Sequence, residues 1–254
     1  MTRRTAIVTL LLAAGSPAAG GMIELAPTGQ FQVQDAQVYR SLEPPPRFLV
    51  VGSRFGRPVL ITTGPIGARL LDPARVQRDA PPAETVRVDP GGPQQDFLTV
   101  RMSGENLVLE RDGTSVTLTA SPPILGDKTL DEVLAAMPDY RRSAVRYTPD
   151  AAALDRIRRA KQPAEVLVFF GSWCSHCEQL IPRLVRVLQD SRGAPLQVVF
   201  RGVPPPGGGR DPMAEALGVS GLPTGIVRRD GKEVARIEGA EWEAPETALA
   251  RVVQ

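Results

Sequence analysis

Cysteine and histidine are almost missing from this chain: 254 residues hold two cysteines and one histidine, and aromatic residues make up 5%. One cysteine pair cannot supply the disulfide framework on which small secreted scaffolds depend. A single histidine leaves little for a soft-ligand metal centre such as a copper site. No apolar run approaches the roughly 20 residues needed to cross a bilayer. Neither charge is in surplus once the first 20 residues are set aside. They contain two arginines and no acid, so 30 − 2 = 28 basic side chains face 28 acidic ones. That balance asks for neither nucleic acid nor a membrane surface as partner.

What the first 20 residues do contain is a pattern. Arg3 and Arg4 precede a short apolar run at 6–14, and Ser16-Pro17-Ala18-Ala19-Gly20 offers small residues for cleavage. This reads as a signal peptide over residues 1–20 and predicts a periplasmic or extracellular protein, with no membrane insertion after cleavage. No cysteine follows the run, so a lipid anchor is not indicated. The destination is one where disulfides persist.

Residues 21–120 read as a β-rich N-terminal domain, with short runs of Val, Leu, Ile and Thr between Pro/Gly punctuation. The clearest element is a hairpin: 106–111 and 114–118 flank Asp112-Gly113, and both turn positions favour positive φ. Residues 48–51 and 59–62 predict two more strands, and the glycines at 52–56 predict a plain turn. This half shows no repeat, metal cluster or phosphate loop, and its role stays open. A connector over 121–140 carries a short helix, opened by the capping box of Thr129 and Glu132 and ending near Met137-Pro138.

Beyond it the pattern alternates between strand and helix. Residues 144–147 predict an edge strand, and Thr148 predicts a helix cap with Pro149 and Asp150 behind it. The continuous apolar run at 166–170 predicts a strand buried on both faces. Trp173-Cys174-Ser175-His176-Cys177 follows it and holds both cysteines and the only histidine. Cys174 then starts a helix whose positions Leu180, Ile181, Leu184, Val185 and Leu188 keep a helical period. Residues 196–200 predict a third strand, 225–228 and 234–237 a hairpin, and 244–252 a closing helix. A thiol at a helix N-terminus faces unpaired N–H groups and the positive end of the helix dipole, both of which favour thiolate. Cys177, one turn deeper, suits a shielded resolving thiol. A purely structural bridge across so small a loop would constrain the unfolded chain little.

Residues 141–254 resemble a thioredoxin domain. The strand–Trp–CxxC run, Pro182 in the following helix, Gly221-Leu222-Pro223-Thr224, and Gly231 with Gly239 carry the resemblance. It implies an α/β thioredoxin-like fold in the C-terminal part, preceded by a mainly β domain. It further implies a thiol–disulfide oxidoreductase with Cys174 and Cys177 as the redox pair and His176 favouring the Cys174 thiolate. Trp173, Leu222 and a cis Pro223 would form the substrate surface. No cofactor and no metal are implied; the partners would be protein thiols or disulfides and an unidentified redox partner. His176 between the cysteines is similar to oxidising and isomerising members, while the short interval from Cys177 to Pro223 resembles the compact thioredoxin or TlpA layout. The direction of electron flow is left open. Val168 departs from the family, many of whose members keep a buried acid there. Two other classes compete: a redox-inactive binding module, and a copper-handling protein. The halves also differ in charge, with 11 basic and 15 acidic side chains in 21–140 against 17 and 13 in 141–254, which would let them dock.

Overall fold

A computed structural model describes residues 21–41, 43–79, 84–91 and 95–253. The leader at 1–20 and the punctuation at Pro81-Pro82 and Gly92-Pro93 lie outside the described residues.

Among the described residues the N-terminal half is built from eleven antiparallel strands: β1 Ile23–Pro27, β2 Phe31–Gln32, β3 Gln37–Ser41, β4 Arg47–Val51, β5 Val59–Thr63, β6 Ile66–Leu70, β7 Val76–Arg78, β8 Val86–Val88, β9 Phe97–Ser103, β10 Asn106–Arg111 and β11 Thr114–Ala120. Their order in the sheet is β2-β11-β10-β9-β6-β5-β4-β3-β1-β8-β7. The central strands are apolar on both sides because both sides are covered. Val38, Val50 and Ile61 pack with Leu109 and Leu118 on one face, whereas Tyr39, Leu49 and Leu60 pack with Leu25 and Val88 on the other. Period-2 alternation puts successive residues on opposite faces, so two cores demand near-continuous apolar runs such as those in β4 and β5. The β10–β11 hairpin pairs Arg111 with Thr114, and Asp112 and Gly113 take φ values of 49° and 76°.

The C-terminal half has a five-stranded sheet in the order β12-β14-β13-β15-β16, from β12 Gly126–Lys128, β13 Ala164–Phe170, β14 Leu196–Gly202, β15 Thr224–Arg229 and β16 Lys232–Ile237. β13 pairs parallel with β14 and antiparallel with β15. Around it lie α1 Leu130–Ala136, α2 Pro138–Val145, α3 Ala151–Arg158, α4 Ser175–Asp190, α5 Pro212–Ala216 and α6 Pro245–Val252. Buried side chains of α2, α3, α4 and α6 share one core with Val166, Val168 and Phe170 of β13, and each fully buried Leu or Ile there contributes about 1.5–3 kcal/mol.

Three local expectations change. Residues 144–147 form no strand: Pro138 opens α2 at its first position, and the helix buries Tyr140 and Ala144. The next helix is capped by Asp150, not Thr148, because the Asp150 carboxylate accepts from the Ala153 N–H at 2.7 Å. The segment 121–140 is more than a connector, since β12 pairs with β14 as an edge strand of the C-terminal sheet. The capping box at Thr129 forms as the spacing predicts.

Ion pairs of both polarities cross between the halves. Arg40 of β3 reaches Glu178 of α4 at 2.6 Å, while Arg146, just after α2, reaches Glu24 at 3.0 Å and Glu43 at 3.1 Å. Gly29, in the turn after β1, lies against the last turn of α1, where an added Cβ would overlap the Ala136 carbonyl oxygen. Gly29→Ala is therefore expected to lower stability by about 1–3 kcal/mol through overpacking. Urea unfolding checks this; an unchanged midpoint would show that the two backbones are not held together there.

Candidate active site

β13 ends at Phe170, and the chain turns through Gly171 to place Cys174 as the N-cap of α4, with φ −90° and ψ 118°. Gly171 is required by packing: a Cβ there would lie 2.7 Å from the Trp173 indole. The indole is partly exposed, and its Nε1–H donates to the Val203 carbonyl at 3.0 Å. Trp173 thus pins the start of the loop that follows β14. The far end is pinned by Arg201, which donates to both Asp211 oxygens at 3.0 and 3.1 Å, while Asp211 caps α5.

Cys174 is half-buried and Cys177 is fully buried, and they are free thiols. The two sulfurs share a hydrogen bond, and that bond is the largest cause holding the Cys174 thiol down to about 5. Burial opposes the shift; the Cys177 and His176 backbone N–H groups and the His176 charge add to it. The same hydrogen bond, with burial, pushes the Cys177 thiol up. The Gly171 N–H donates to Cys177 Sγ at 3.5 Å and only partly offsets this. One sulfur is therefore a nucleophile at neutral pH and its neighbour holds its proton.

Cys174 sits at the edge of a cleft of about 510 Å³ that also brings together Trp173, His176, Leu222 and Pro204 to Pro206. The proline- and glycine-rich loop at 202–210 thus forms one wall of it. Leu222–Pro223 is a cis peptide. Pro223 lies on a second cleft, which His176 and Leu222 border as well. All six residues expected at the site gather around one helix end.

Two acids there were not foreseen. Val168 is buried and apolar, and Glu165 points away to Arg228 at 3.8 Å. An acid is nonetheless present behind the cysteines: Glu178, in the first turn of α4, takes a hydrogen bond from Gln30 and another, at 2.6 Å, from Arg40. Burial is the main cause raising its carboxyl to about 7. Asp139 of α2 is buried beside it, with its Oδ2 3.9 Å from Arg40. The signal for Glu178 was faint, because an acid in the first turn of a helix is ordinary. Among the described residues no group of three or more His, Cys, Asp or Glu is placed to hold a metal ion.

Residues 150–254 match the family model of thioredoxin. The C-terminal part of this chain has a thioredoxin-like fold. Similar solved structures include a thioredoxin variant from Halobacterium salinarum at 23% identity, covering 42% of this chain and 85% of that one with a TM-score of 0.28. Thioredoxin O2 from Arabidopsis thaliana, in its oxidised state, is 22% identical over 41% and 85% of the two chains, with a TM-score of 0.30. Reduced thioredoxin 2 from Pseudomonas aeruginosa is 27% identical over 42% and 94%, with a TM-score of 0.29. The N-terminal half lies outside the family match. A thioredoxin-like fold is the framework of a thiol–disulfide oxidoreductase, and the CxxC pair stands at the end of its central strand.

Alkylation of reduced protein should report the Cys174 thiolate, with half-maximal rate near pH 5. A midpoint near the ordinary thiol value of about 8.5 would contradict the geometry. The folded value lies below the unfolded one, so the ionised sulfur stabilises the reduced protein fully above the unfolded value. That contribution is lost as pH falls toward 5. Chemical unfolding of reduced protein against Cys174→Ser should show the difference shrinking over that range.

Proposed function

We propose that this chain is an exported thiol–disulfide oxidoreductase that exchanges disulfides with protein thiols through Cys174 and Cys177. The supporting observation is the split of the pair, one sulfur ionised at the open end of α4 and the other buried and protonated. Cys174 thiolate attacks a client disulfide and forms a mixed disulfide with one client sulfur. The Cys177 sulfur then attacks Cys174 and releases that client sulfur as a thiolate. Run backwards, the Cys174–Cys177 disulfide oxidises a client dithiol. No cofactor is needed, since both electrons move between sulfurs.

Ionising Cys174 stabilises the reduced form and so makes the disulfide a stronger oxidant, which favours the oxidising direction. The client surface would be the cleft beside Cys174, where the Trp173 indole, Leu222 and the prolines at 204–206 offer apolar walls to an extended polypeptide. Export rests on the pattern at residues 1–20, with the periplasm or the cell exterior as destination.

Equilibration with glutathione redox buffers tests the activity. Cys174→Ser should abolish exchange, and Cys177→Ser should accumulate a mixed disulfide at Cys174, visible by mass. A wild-type protein that never exchanges, or a Cys174→Ser protein that keeps full biological effect, would favour a binding module instead. His176→Pro is expected to lower the reduction potential of the pair; a potential unchanged by it would remove His176 from the site.

A further inference from the structure

Trp173 stands between two clefts. One is the cleft beside Cys174. The other, of about 590 Å³, opens where the two halves of the chain meet, and Trp173 and Pro205 border both. Phe31 of β2, Glu105, Ser121, Pro122 and Met137 line the second cleft. Its walls thus come from the N-terminal sheet, the segment after β11 and the end of α1, with the indole as the ridge toward Cys174.

This groove is held in shape by hydrogen bonds on both sides of the ridge. The Ile124 N–H donates to Ser172 Oγ at 3.0 Å, which ties the segment after β11 to the turn that carries the cysteines. The Ser121 N–H donates to the Gln30 carbonyl at 2.9 Å, which ties the same segment to the start of β2. Across the ridge the indole holds the Val203 carbonyl, and Pro204 to Pro206 follow directly. Proline walls and fixed backbone leave little freedom to lose on binding, and clefts at domain junctions are favoured places for ligands.

The charge of the groove is one-sided. No Lys or Arg among the described residues lines it, and two acids do. Glu178 is answered by Arg40. Glu105 is not: exposed in the turn between β9 and β10, it enters no ion pair among the described residues.

We infer that the second cleft is a client subsite, which takes the extended polypeptide on one side of the client cysteine and favours a Lys or Arg that reaches Glu105. Apolar client side chains rest against its aromatic and proline walls. The inference rests on the oxidoreductase reading and gives residues 21–140 a part in choosing clients. No bond is made or broken in the second cleft. Exchange stays at Cys174 and Cys177, and the groove selects which disulfides are presented to them.

Exchange rates of the reduced full chain with a graded set of disulfides test this. Oxidised glutathione probes the chemistry at Cys174, whereas unstructured peptides with flanks of about six residues, roughly 20 Å when extended, probe both clefts. Wild type should react about tenfold faster with a flanked apolar peptide than with the same disulfide on single-residue flanks, the scale of one further side chain held in a pocket. Gln32→Trp, which sets a bulky side chain on an exposed position of β2 at the groove, should remove that gain and leave the glutathione rate unchanged. A flanked peptide carrying Lys should outpace its Glu counterpart by about two- to fivefold at low salt, and Glu105→Lys should reverse the order. Both preferences should fade at about 1 M salt. An order unchanged in Glu105→Lys would overturn the cation preference. Flanked and short peptides reacting alike, or a gain that survives Gln32→Trp, would overturn the subsite and leave the oxidoreductase reading intact. A wild type inert even to oxidised glutathione would overturn that reading and the subsite with it. Photocrosslinking gives a check independent of rate. A benzophenone-bearing peptide trapped on Cys174 in Cys177→Ser should label residues 30–32 or 120–124, and label confined to 204–223 would overturn the inference.

Discussion

The hydrogen bond between the two sulfurs organises the site, because it gives chemically identical side chains opposite characters. It needs Cys174 at the mouth of α4 and Cys177 one turn inside, against the packed core. That in turn needs the strand-to-helix junction after Phe170 to be tight. Gly171 supplies the tightness by leaving room for the Trp173 indole, and the indole then fastens the wall of the adjoining cleft through Val203. Burial alone would raise both thiols. The asymmetry comes from the bond together with the free N–H groups of the first turn, which only the outer sulfur can use.

Much of this was legible in the chain. The unbroken apolar run of β13, the helical period after Cys174 and the Asp-Gly hairpin each reflect a local rule that tertiary packing left intact. Local rules failed where a neighbouring choice outcompeted them. Thr148 and Asp150 are both good caps, and the carboxylate wins with a 2.7 Å bond while Glu246 holds the Asp150 N–H from α6. Residues 144–147 have the composition of a short strand, but Pro138 starts a helix upstream and carries the chain through Val145. The role of β12 was hidden because three residues, Gly126–Lys128, carry almost no periodicity.

The acid cluster was illegible for a different reason. Arg40 and Glu178 are far apart in sequence, and nothing in either segment marks them as partners. What places them together is the docking of β3 and α2 against one face of α4. Charge totals for the two halves suggested attraction, but the ion pairs run in both directions across the boundary, so the totals predicted contact without predicting which residues make it. The departure at Val168 was visible; the meeting of Glu178 with Asp139 and Arg40 depends on other elements and was not.

The short edge strand β12 decides where this protein can be cut apart. It covers the outer side of β14, and the Ile124 carbonyl sits so close to Gly202 that no side chain fits between them. A C-terminal fragment started at α1 would strip that cover and leave the β14 backbone as an open lane for another copy to join, inviting aggregation. The natural severing point lies upstream, between β11 and Pro122, even though the residues that follow look like mere tether.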